Sequence, residues 1–253
     1  MATFTIHYRF DFPDGAVHHF KLELGEETLE QVVDEPETPP SWTALGFHQC
    51  PNCPLDPGTT ERCPVAVNLV KLVTDMGGCL SSDEVDVEVT TPERTVIKHT
   101  TMQRAVSSLI GVVVATSGCP RTVFFKPMAR FHLPLASEEE TIYRAASMYL
   151  LAQYFLHQQG QPADWHLERL SALYKNLQVV NSAMAQRLRA ASDKDAAVNA
   201  IVLLDLFAKA LPYTIEESLE EIRYLYRAYL NGEINAGLAG DGLAAPSPQR
   251  GEG

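Results

Sequence analysis

The residues best suited to chemistry in this chain are its cysteines. Of the five, four are followed directly by proline: Cys50-Pro51, Cys53-Pro54, Cys63-Pro64 and Cys119-Pro120. The fifth, Cys79, precedes Leu80 and sits behind Gly77-Gly78. Thiolates are the ligands taken by soft metals and by iron–sulfur clusters. Cys50-Pro51-Asn52-Cys53 brings two sulfurs within reach of one centre; nine residues then lead to Cys63, and fifty-five more to Cys119. Proline fixes its own φ and holds the preceding residue extended, so each Cys-Pro step stiffens the backbone around a sulfur. Cys50, Cys53, Cys63 and Cys119 are therefore expected to form one metal or cluster site, with Cys79 outside it.

The neighbours of these cysteines fit that role. Pro64 suits the first position of a helix, with Cys63 as its cap, and a helix N-terminus favours the thiolate. Cys119 follows Gly118, a C-cap residue where the chain can reverse. Arg121, Lys126 and Arg130 come next with no acid between residues 119 and 136, and are expected as cations around a negatively charged cluster. His48 could substitute for one thiolate, although a loop histidine is the plainer reading. Zinc ribbons usually present two Cys-x-x-Cys knuckles, whereas one such pair with scattered partners is common in iron–sulfur proteins. The pattern thus favours a [4Fe-4S] cluster with a redox or sensing role. A structural Zn2+ site in an interaction module is the alternative. A thiol-dependent enzyme using Cys79 or Cys119 is a second one, and no catalytic residue is assigned. Buried free thiols would lie in apolar runs, yet Cys50 and Cys53 sit among Pro, Asn and Gln. A thioredoxin-like site would start a helix after Cys53, which Pro54, Pro57 and Gly58 prevent.

Residues 3–10 and 16–24 alternate apolar and polar around Pro13-Asp14-Gly15, which predicts a β-hairpin. Its histidines, His7, His18 and His19, need no ligand role. Residues 34–62 read as loop, followed by a helix from Pro64 to Thr74 that ends near Gly77-Gly78. Strands are expected at Glu84–Val89 and Thr95–Thr100, and an apolar helix at Met102–Thr116. Lys126–Pro134 is neither a clean strand nor a clean helix; it reads either as an ordered linker or as the wall of an anion pocket. From Ser137-Glu138-Glu139-Glu140, a capping box, helices are predicted near 138–159, 163–190, 193–211 and 214–231. Asp164, Ser192 and Thr214 are their candidate caps. The fold class is thus α+β. Residues 1–136 form a mixed cysteine-bearing part built on a small antiparallel sheet, residues 137–231 a helical, bundle-like part, and residues 232–253 a Gly/Ala/Pro-rich tail expected to be disordered.

The 253 residues carry a formal net charge of −12, which disfavours a general nucleic-acid binder. Hydrophobic residues make up 45%, enough for a sizeable core. The absence of a secretory pattern and of a long apolar run predicts a soluble, cytoplasmic protein without a membrane partner. An odd cysteine count there argues for metal or redox chemistry over disulfides. An electron-transfer role would call for a redox partner protein. The helical part offers apolar faces either to a homodimer or to its own core.

Taken together, His-x-Cys-Pro-x-Cys-Pro at 48–54, Cys-Pro-x-Ala at 63–66, Ser-Gly-Cys-Pro at 117–120 and Lys-Pro-Met-Ala-Arg-Phe-His-Leu-Pro at 126–134 resemble an uncharacterised bacterial family, a domain of unknown function. The resemblance covers most of residues 1–230. It implies a bacterial origin and brings no activity with it.

Overall fold

The computed structural model describes residues 2–32, 38–76, 79–191, 198 and 219–231. Strands β1 (Thr3–Asp11) and β2 (Val17–Gly25) form the predicted hairpin. The reversal uses Gly15 at φ +88°, a conformation that glycine adopts without strain. The Asp14 carboxylate accepts the Ala16 N–H at 2.9 Å, as turn aspartates do. Strand β3 (Glu84–Thr90) pairs with the other edge of β1, and β4 (Thr95–Thr101) pairs with β3. The result is a four-stranded antiparallel sheet of order β2-β1-β3-β4.

Two-residue alternation gives this sheet one apolar face. Ile6, Tyr8 and Phe10, then Phe20, Leu22 and Leu24, then Val85, Val87 and Val89, are all buried. Helices α1 (Pro64–Met76) and α2 (Met102–Thr116) contribute to the same buried core, and α2 packs on β3 and β4. Along α2, Ala105, Leu109, Val112 and Val113 recur at helical spacing and are buried. A short α3 (Lys126–Arg130) leads to α4 (Glu138–Gln158) and α5 (Glu168–Ala191), and α6 (Arg227–Leu230) is the last described helix. Ile142, Ala145 and Tyr149 of α4 join the core that holds the sheet, as do Leu170, Val180, Met184 and Leu188 of α5. One apolar interior therefore serves both the cysteine-bearing and the helical parts. No helix among the described residues is long and apolar enough to cross a membrane.

Most predicted elements appear within two residues of their expected ends, and the α+β class is as expected. The capping box is present: Ser137 Oγ accepts the Glu140 N–H at 3.1 Å, and Glu140 Oε2 accepts the Ser137 N–H at 2.7 Å. α5 starts five residues late, because Leu167 takes a left-handed conformation at φ +62°. The Asp164 carboxylate still takes the N–H groups of His166 and Arg169, at 3.1 and 2.8 Å. The 126–134 stretch, expected to be non-helical, forms a short helix followed by a turn. Part of the expected 214–231 helix is a 3-10 turn at Arg223–Tyr226. The Gly77-Gly78 stop, nearly all of 193–211, the start of 214–231 and the 232–253 tail lie outside the described residues.

A buried polar chain ties the sheet to the segment after α3. The Tyr8 hydroxyl, on β1, meets Ser108 Oγ of α2 at 2.9 Å and His132 Nε2 at 2.5 Å. Ser108 Oγ also accepts the Leu135 N–H at 3.1 Å. Burial, helped by the Arg144 charge, holds the His132 ring neutral, its pKa down from the ordinary 6.5 to about 3. Between those two pH values the unfolded chain binds a proton that the folded chain refuses, so acid favours unfolding. Urea midpoints of the full chain should accordingly fall as pH drops from 6.5 toward 3, and His132→Gln should flatten that stretch of the curve. An unchanged pH dependence in the variant would remove His132 as its source.

Candidate metal-cluster site

Three separate segments bring cysteines to the end of the core where α1 begins and α2 stops. The first is the loop before α1. His48 takes a left-handed conformation at φ +46° and turns the chain into Cys50–Cys53. A Cys53 N–H to Cys50 C=O bond of 2.9 Å closes that turn, and Gln49 Nε2 braces it on the Leu55 carbonyl at 3.0 Å. The second is the start of α1. The Cys63 carbonyl accepts the Val67 N–H at 3.0 Å, so Cys63 is the cap and Pro64 the first helical residue, as the sequence predicts. The Cys63 N–H is itself held by the Thr43 carbonyl at 2.8 Å. The third follows α2. Gly118 at φ +81° reverses the chain, and the Cys119 carbonyl accepts the Thr122 and Val123 N–H groups at 3.0 and 3.2 Å.

These turns bring four thiols within electrostatic reach of one another. Cys63 and Cys119 are buried, and Cys50 and Cys53 are half-buried. Burial, together with repulsion from Cys63, Cys119 and Cys53, pushes the Cys50 thiol up to about 12. Burial and the thiols of Cys63 and Cys53 also raise Cys119, against the opposing pull of the Arg121 backbone N–H and the Thr122 side chain beside it. The four therefore form a single electrostatic group. They do not close on an ion-sized point: among the described residues, no group of three or more His, Cys, Asp or Glu could hold a metal ion. Cys79 lies beyond the far end of α1, its N–H on the Met76 carbonyl at 3.0 Å. The thirteen residues of that helix put it about 20 Å along the axis from Cys63.

The main cation of the site is one that sequence reasoning missed. Arg187, on α5, is fully buried. Its guanidinium donates to the carbonyls of Trp42 and Ala44, each at 2.6 Å, and of Leu45 at 3.1 Å. It lies 5.8 Å from the centre of the Phe47 ring. Burial works against its charge, while the thiolates of Cys63, Cys50 and Cys53 would support it. Among the described residues no carboxylate lies within ion-pair distance of it, and its Nε is buried without a hydrogen-bond partner. An arginine keeps its proton almost without exception, so the structure holds a buried cation on three carbonyl oxygens beside the cysteines. A signal was present in the sequence. Arg187 falls on the apolar stripe of Val180 and Met184, and positions three and four residues away on either side hold no acid.

Of the three cations expected around the site, Arg121 reaches it: its Nε donates to the Asn52 carbonyl inside the Cys50–Cys53 turn at 2.6 Å. The other two face elsewhere. Lys126 binds Glu30 at 2.9 Å and the Thr28 carbonyl at 2.7 Å. Arg130 binds Glu93 at 3.1 Å and stacks on Phe4. An acidic chain offers nearby carboxylates to cations, and these two are satisfied by them. His48 is exposed, edge-on to Phe47 at 4.7 Å. Asn52, also missed, pins the turn to α5 through Asn176, whose carbonyl and Oδ1 accept from Asn52 Nδ2 at 3.2 and 3.0 Å.

Compared with known proteins, residues 6–227 match a family described as a domain of unknown function, DUF6901. No curated protein and no solved structure matches the chain.

Losing the Arg187 guanidinium would strand three buried carbonyls and leave the thiol group without its cation. Arg187→Ala should destabilise the full chain by about 3 kcal/mol or more, read as a shift in urea midpoint. Arg187→Lys should also lose stability, because a point-like ammonium cannot span the three acceptors of a planar fork. A wild-type midpoint in both variants would show that Arg187 does not anchor the site.

Proposed function

We propose, for a chain that belongs to the DUF6901 family, that Cys50, Cys53, Cys63 and Cys119 hold one [4Fe-4S] cluster in a redox or sensing role. The observation that carries this reading is the grouping of four Cys-Pro cysteines from three segments, three of which, Cys50, Cys53 and Cys63, face the buried, carboxylate-free Arg187. Four thiolates around an iron–sulfur centre are net negative, and an arginine buried beside them answers that charge. A bound cluster would supply one-electron chemistry.

The chain's own residues would do the rest. The turns at Cys50–Cys53 and Cys119 hold the sulfurs. The Arg121 backbone N–H lies beside the Cys119 sulfur, the Thr122 hydroxyl holds the turn by donating to the Val114 carbonyl at 2.7 Å, and the apolar interior limits water. With every iron carrying a cysteine, no open position remains for a substrate, which favours electron transfer, sensing or a structural role over substrate activation.

Protein purified without oxygen should be brown, with a broad absorption near ~400 nm. Cys50→Ser and Cys119→Ser should lose that colour, and Cys79→Ser should keep it. Colourless protein holding one zinc per chain would overturn the iron assignment and turn the same four thiols into a structural site. Metal-free protein with one rapidly alkylated thiol would overturn both readings.

A further inference from the structure

A second feature stands apart from the thiols. A cavity of about 440 Å³, within the ~300–1,000 Å³ typical of small-molecule sites, is bounded by α2, the 125–136 segment, the start of α4 and the middle of α5. Its apolar lining includes Val112, Phe125, Met128, Leu133 and Leu177. Gly111, in the middle of α2, contributes no side chain and leaves room. Three cations, Lys98, Arg104 and Arg144, share the wall, and Glu138 is the sole acid among the described lining residues. On a chain with net charge −12, that is a local reversal of sign.

Two polar groups of the cavity, Arg144 and Asn181, are short of partners. Arg144 is half-buried and uses only Nη2 in hydrogen bonds among the described residues, to the Met128 carbonyl at 2.7 Å and the Phe131 carbonyl at 3.5 Å. Burial works against its charge, with Glu140 the acid that offsets this. Among the described residues no carboxylate lies within ion-pair distance of Arg144, Arg104 or Lys98. Lys126 and Arg130, from the neighbouring segment, are each paired with a glutamate. Asn181, on the α5 wall, is 1% exposed, and its amide nitrogen has no hydrogen-bond partner. A buried donor left unpaired is costly, and here it borders a cavity with unpaired cations.

We propose that this cavity binds one small organic anion, its carboxylate or sulfonate head against Arg144 with Arg104 and Lys98 at the rim, its alkyl or aryl body along Val112, Met128 and Leu177. A bare inorganic ion would leave the apolar wall unused, and the volume excludes a macromolecular ligand. This site does not depend on the cysteines carrying a cluster.

Titration calorimetry on the full chain with decanoate, and with decyltrimethylammonium as its cationic counterpart, tests the proposal. Decanoate should bind one per chain, and the cation at least roughly tenfold more weakly. Arg144→Met should weaken decanoate by about tenfold or more. Because that change also releases two carbonyls, the exposed Arg104→Met and the cavity-filling Gly111→Leu serve as independent variants. The first should weaken binding and the second abolish it. Cys50→Ser should bind decanoate like the parent while losing any cluster absorption, which separates failure of this site from failure of the cluster. No decanoate binding, equal binding of the two head groups, or unchanged binding in Arg104→Met and Gly111→Leu would overturn it.

Discussion

The guanidinium of Arg187 sits where water does not reach, and much of the site is arranged around keeping it there. Its three carbonyl partners, on Trp42, Ala44 and Leu45, belong to the loop that leads into the first cysteine turn. The residue between two of them, Thr43, accepts the Cys63 N–H. One planar fork on α5 therefore sets the position of the 42–45 loop, and through it the start of α1. An apolar side chain could fill the same volume but could not satisfy three acceptors.

The prolines act in the same direction by other means. Pro64 begins α1 at the cost of no hydrogen bond, since the first amides of a helix have no internal partner. Pro51 lies inside the Cys50–Cys53 turn, and Pro120 inside the turn after Gly118. Each cysteine therefore stands on backbone that is already restricted before anything binds, so less freedom is lost when the sulfurs are held.

The sheet and the first helices were legible in the sequence because their signals are local. Alternation along Ile6, Tyr8 and Phe10, a Pro-Asp-Gly turn and a capping box at Ser137 each act within a few residues. The grouping of the four cysteines was legible as well, through the shared proline. What could not be read was which cation would meet them. Lys126 and Arg130 are near Cys119 in sequence, yet each finds a glutamate from a distant segment, Glu30 and Glu93. Arg187 is sixty-eight residues beyond Cys119 and arrives only because α5 packs against α1 and the 42–45 loop. The late start of α5 has a similar cause: Asp164 caps as expected, but a left-handed Leu167 delays the first regular turn. The wall of the cavity was half-read: a pocket beside the 126–134 stretch was one expectation, but its cation comes from Arg144, on the next helix.

The placement of Arg187 also sets an order of events. Cys50, Cys53 and Cys63 leave the ribosome long before α5 is made, and the guanidinium that fixes the loop beside them comes well after Cys119. Bringing such distant segments together is slow compared with forming a hairpin or a helix, because chain entropy resists each long loop closure. During synthesis the thiols are therefore open to solvent, oxidants and stray metal ions. The loop that carries Cys50 and Cys53 therefore gains its Arg187 anchor only once α5 has been made.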